Sequence, residues 1–97
     1  MVVTVLEAHV ARDRIGDLES AWRDGSRALP PGLVESFLVR DSSDDTLFRI
    51  ITVWSSHEAL EEMRASVDKP KGVQFFESAG ATPQLSILDV VAREKAG

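Results

Sequence analysis

Only two side chains of the chain, His9 and His57, ordinarily titrate near neutrality. His9 stands two residues after Glu7 in a β-branched run, so both project from one side of an extended chain. A carboxylate beside an imidazole tunes it as a base, which makes His9 the first candidate catalytic residue. A solvated strand end is its bland alternative. Arg49 is the second candidate, a cation among Leu47, Ile51 and Val53. Such a cation could hold an enolate or phenolate oxygen, the charge that develops when an electron-rich aromatic is oxygenated without a cofactor. The competing account is an ion pair with Glu35 or Asp89 across the sheet. His57 follows Ser55-Ser56 in a first helical turn, where its ring is expected to point to water.

Other chemistries lack their residues. There is no cysteine, hence no disulfide, thiolate nucleophile or Cys-ligated metal. No Gly-x-Ser-x-Gly elbow and no Gly-rich phosphate loop occur, and Ser42-Ser43 reads as a turn. The histidines and scattered carboxylates show no metal-ligand spacing. A net charge of −5 with singly scattered basic residues argues against nucleic acid as partner. No apolar run approaches the roughly 18–20 residues of a membrane span. Without a basic amino-terminal signal, the cytoplasm is the expected location. With 97 residues there is room for one domain, 1–97.

The elements that must position these residues follow from periodicity. Val2 to Val10 reads as a strand with two largely apolar faces. Asp13 to Leu29 carries Ile15, Leu18, Trp22, Ala28 and Leu29 at helical spacing, with Asp13 as N-cap and with Gly16 and Gly25 as tolerated positions. Pro30-Pro31-Gly32 ends it. Leu33–Arg40 and Thr46–Trp54 read as an antiparallel hairpin around the polar Asp41–Asp45 connection. In the first of these, Leu33, Glu35, Phe37 and Val39 are expected on one face. Ser55-Ser56-His57-Glu58 reads as a capping box with Ser55 as cap, opening a helix whose buried stripe is Ala59, Leu60, Met63 and Val67. Lys69 to Glu77 suggests a further short helical turn, and Gln84 to Val91 a final strand.

Strand, helix, strand, strand, helix, strand is the ferredoxin-like βαββαβ order, an α+β fold with a four-stranded antiparallel sheet and helices on one face. The uncovered face remains apolar, so an isologous homodimer through it is expected. The junction Ile50-Ile51-Thr52-Val53-Trp54-Ser55-Ser56-His57-Glu58-Ala59-Leu60 resembles the Trp-Ser-Ser/Glu-Ala-Leu signature of antibiotic biosynthesis monooxygenase domains, which are dimeric α+β barrels. The Pro31-Gly32 entry to the second strand, the acidic Asp41–Asp45 hairpin and the element order extend the likeness over nearly the whole chain.

That family includes cofactor-independent oxygenases of aromatic polyketides, quinol oxygenases and haem-degrading enzymes. The haem-degrading members use a first-strand asparagine, a tryptophan on the second helix and a histidine beyond it. The matching positions here are Ala8, Met63 and Val73, so the resemblance implies no haem and no other cofactor. The remaining substrate-binding candidates are Trp22, Met63, Val73, Phe75 and Phe76, apolar side chains between sheet and helices, with plain core as their alternative. The reading that results is a cofactor-independent monooxygenase of a small aromatic or polycyclic substrate. A non-catalytic binder of lipophilic molecules and a pure assembly module are its alternatives.

Overall fold

The β-branched start of the chain forms β1, Val2–His9, with Val2, Thr4, Leu6 and Ala8 buried on one face. The hairpin strands are β2, Leu33–Arg40, and β3, Leu47–Trp54, and the last strand is β4, Gln84–Asp89. In the computed structural model, which describes residues 1–97, these strands make one antiparallel sheet of order β2-β3-β1-β4. This is the ferredoxin-like arrangement expected from the element order. The helices α1 (Ile15–Gly25), α2 (His57–Ser66) and α3 (Lys71–Ser78) bury Leu18, Leu60, Phe75 and Phe76 against the same side.

Several local expectations are corrected. The first helical segment divides into a 3-10 turn, Arg12–Arg14, followed by α1, which stops at Gly25 rather than running to Leu29. Asp13 lies inside the turn, and neither element has a side-chain cap. Gly25 is not merely tolerated: a Cβ there would lie 2.3 Å from Phe75 Cε1, so the missing side chain is what lets α3 seat its ring against α1. Gly16 has nothing within 4 Å and is the tolerated one. The α2 cap is Ser56, not Ser55; its hydroxyl accepts from the Ala59 N–H at 3.1 Å. The short turn expected over Lys69 to Glu77 is a full helix, α3, capped at Pro70 and running to Ser78.

Strand β2 also departs from simple alternation. An irregularity between Leu33 and Glu35 leaves Val34 without a β3 partner, and Leu33 pairs with Trp54 on the helix-facing side, away from Phe37 and Val39. Gly32 makes the preceding turn at φ 82°, with Ala59 packed where a side chain would be.

The apolar core is divided. One cluster, including Leu6, Ala8, Leu18, Phe48, Ile50, Phe75 and Phe76, lies beneath α1 and α3. A smaller one joins Val2, Trp54 and Leu60 beneath α2. The opposite sheet face carries no element of this chain: Phe37 is 44% and Leu88 51% exposed there, beside half-buried Val3, Val5, Ile51 and Val53. No helix is long and apolar enough to cross a membrane.

Candidate functional site

The cross-strand register arranges the helix-facing side of the sheet in rows. Leu38, Ile50, Leu6 and Leu85 form one, under the larger cluster. Leu33, Trp54, Val2 and Asp89 form another, which contributes Val2 and Trp54 to the smaller cluster. Between them run Ser36, Thr52, Thr4 and Ile87. This middle row floors a half-open cavity of about 830 Å³ between sheet and helices. That volume lies in the range of pockets that hold small organic ligands.

The walls are mainly apolar. Leu6 and Ile50 rise from one core, Trp54 and Leu60 from the other, and Trp22, Met63, Val73 and Phe75 come from the helices. Trp22 and Phe75 meet edge to face with ring centroids 5.7 Å apart, a preferred aromatic geometry that stiffens the α1–α3 wall. Gly72 lets α3 approach the floor; a Cβ there would lie 2.6 Å from Leu6 Cδ1. The charged residues of the lining are Arg64, Asp68 and Lys71, all exposed at its edge. Lys71 Nζ donates to the Gly25 and Ala28 carbonyls at 3.1 and 2.6 Å, so it closes the carboxyl end of α1, where a cation is favoured.

The expected residues thus separate into groups. Trp22, Met63, Val73 and Phe75 come together on the cavity, whereas Phe76 is fully buried in the larger core. His9 and Arg49 belong to neither group. Being odd-numbered positions of β1 and β3, they stand on the face opposite the cavity. His9 Nε2 lies 3.1 Å from Asp44 Oδ2. Arg49 pairs with Glu7 at 2.8 Å and Asp41 at 3.2 Å, neither of them the Glu35 or Asp89 expected. Asp89 instead meets His57 at 2.6 Å, joining the end of β4 to the start of α2.

The acidic hairpin gathers these cations. Asp41 accepts from the Ser43 and Asp44 amides, and Asp44 from the amide and hydroxyl of Thr46, while Arg12 pairs with Asp45. These bonds favour the charged carboxylates. The Ser43 amide foremost, then Arg49, holds Asp41 below the usual range, and the Thr46 hydroxyl does the same for Asp44. Reciprocally, Asp41 raises Arg49 and Asp45 raises Arg12. The cluster is surface architecture at one end of the sheet, remote from the cavity floor in the strand register. Nowhere do three or more His, Cys, Asp or Glu side chains converge as metal ligands.

Sequence reasoning missed the middle row. Thr4 and Thr52 are 8% and 7% exposed, and Ser36 is half-buried beside them. Each is a hydroxyl at a helix-facing position of an otherwise mainly apolar strand, the signal that could have marked them.

A split-βαβ sheet carrying its helices on one side, with an organic-sized cavity beneath them, defines a ferredoxin-like α+β domain. The family model for antibiotic biosynthesis monooxygenase matches residues 1–69, and the chain belongs to that family. Among solved structures, it resembles a proposed antibiotic biosynthesis monooxygenase from Deinococcus radiodurans, with TM-score 0.76, 13% identity and coverage of 100% of this chain and 99% of that one. It also resembles SnoaB, a cofactor-independent oxygenase from Streptomyces nogalater, with TM-score 0.64, 21% identity and coverage of 97% and 95%. At these identities the likeness is one of fold. No curated protein matches the sequence.

Proposed function

We propose that the chain is a cofactor-independent monooxygenase whose substrate is a small aromatic or polycyclic compound. The observation that carries this reading is the 830 Å³ cavity, apolar on its walls and hydroxyl-lined on its floor, in a family that includes oxygenases. Trp22, Met63, Val73 and Phe75 hold the ring system and exclude water. An acidic substrate C–H loses its proton, for which Asp68 at the edge is the available carboxylate. The anion gives one electron to dioxygen, recombination of the two radicals forms a peroxide anion, and the proton taken by Asp68 returns to it, giving a hydroperoxide on a carbon that keeps one hydrogen. That group loses water to leave a carbonyl. One oxygen atom ends in product and the other in water, so no external reductant is required. His9 and Arg49, on the other face, take no step in this scheme.

The active species is a cytoplasmic homodimer closed through the open sheet face, as the uncovered Phe37, Leu88, Val3 and Val53 favour. Purified protein incubated with anthrone and with a benzoquinol under air should consume oxygen, and Val73→Trp, which narrows the cavity, should reduce the uptake without unfolding the protein. Absence of uptake with every such compound overturns the reading. A second reading, a carrier of lipophilic molecules, is favoured by a lining without histidine. A compound retained through purification and detected by mass spectrometry, with no turnover, would select it.

A further inference from the structure

We infer that the row Ser36–Thr52–Thr4 is the element that recognises the cavity's ligand, selecting ring compounds that carry a ketone, enolate or phenolate oxygen. The inference rests on the cavity reading above and specifies which atoms of the protein discriminate.

The three residues are direct cross-strand neighbours: Thr4 faces Thr52 on β3, and Thr52 faces Ser36 on β2. Opposed side chains of this kind have Cβ atoms about 4.5–5.5 Å apart, close enough for one ligand oxygen to reach two of them. All three line the cavity, at the strip where neither apolar core covers the sheet.

Their hydrogen-bond inventory is incomplete. A hydroxyl carries one donor hydrogen and two acceptor lone pairs. Trp54 Nε1 donates to Thr4 Oγ1 at 3.1 Å, which uses a lone pair of Thr4 and leaves its hydrogen unspent. Ser36 Oγ and Thr52 Oγ1 lie 2.8 Å apart, so one donates to the other and the hydrogen of the acceptor is also unspent. Two donor hydrogens therefore stand in one row on an apolar floor, with no protein acceptor among the hydrogen bonds these residues make. Valine in place of either threonine would fill nearly the same space without that demand. A ligand that covers the row must bring acceptor oxygen or leave those donors unpaired. An oxyanion answers the demand best, because hydrogen bonds to charged acceptors are about twice as strong as neutral ones.

The test compares 1-naphthol with naphthalene, following the fluorescence of Trp22 and Trp54, in wild type, Thr52→Val and Ser36→Ala. Wild type should bind naphthol at least about tenfold more tightly than naphthalene, the discrimination expected of one well-made hydrogen bond. Each variant should lose most of that preference while keeping its affinity for naphthalene. Equal binding of the two probes by wild type, or a preference that survives both substitutions, overturns the inference and leaves the cavity reading standing. Failure of wild type to bind either probe overturns both. Melting curves report folding; if Thr52→Val does not fold, the half-buried Ser36→Ala decides alone.

Discussion

The contact between Gly25 and Phe75 allows a stability prediction worked from distances. A Cβ at Gly25 would sit 2.3 Å from Phe75 Cε1 and 2.7 Å from Cζ, whereas ordinary contact begins near 3.4 Å. In Gly25→Ala the ring must therefore retreat by about 1.1 Å, although it is buried and fixed edge to face against Trp22. Overpacking of this kind costs about 1–3 kcal/mol. Opposing it, alanine in a helix recovers up to about 1 kcal/mol relative to glycine, and less at a last helical residue. The net expectation is a loss of about 1–2 kcal/mol, or roughly 5–15 °C in Tm for a domain of this size. Gly16→Ala is the matched control: nothing lies within 4 Å of its Cβ, so only the helix gain acts and Tm should rise by a few degrees. Circular dichroism melts at one protein concentration measure both. The reasoning fails if Gly25→Ala melts at or above wild type, or if the two variants shift in the same direction.

Trp54 is 4% exposed and donates to Thr4, so Trp54→Ala should destabilise by about 3–5 kcal/mol in urea titrations; an unchanged midpoint would contradict its place in the smaller core. Asp41 and Asp44 titrate below their ordinary 3.8 in the folded chain, so their contribution is complete above that value and disappears as pH falls through the depressed folded values. The double variant Asp41→Asn, Asp44→Asn should flatten this acid limb in denaturant unfolding between about pH 2 and 5, and an unchanged slope would show that the hairpin bonds do not hold in solution. The proposed homodimer should be seen by sedimentation of the wild type at micromolar concentration and be lost in Phe37→Glu on the open face; a monomeric wild type would refute the dimer, and a dimer that persists in the variant would place the interface elsewhere.

The strands were legible because Val, Ile and Thr repeat with period two on segments that tertiary structure leaves intact, and their order with the intervening helices implied the sheet. The misread details are those that two distant segments decide together. Leu29 fits the helical period of α1, but Gly25 ends the helix where the Phe75 ring arrives from a segment far along the chain. Leu33 changes face through an irregularity in β2 that periodicity cannot register. Of the aromatic pair in α3, Phe75 reaches the cavity and Phe76 the core, a choice made by how α3 sits on α1. His9 and Arg49 attracted a catalytic reading because strand parity was known without knowledge of which face would be covered by helices. Thr4 and Thr52 escaped notice for a related reason: each looks ordinary alone, and only the pairing of β1 with β3 sets them side by side.

The extra residue at Val34 does more than turn Leu33 inward. Strand β2 is an outer strand, and a ladder interrupted by an unmatched residue offers an incoming chain no continuous register to extend. Pro30 and Pro31, just upstream, withhold amide hydrogens that such a chain would need. The start of this border is thereby a poor template for an added strand, whereas β4, the opposite border, pairs with β1 without such an interruption.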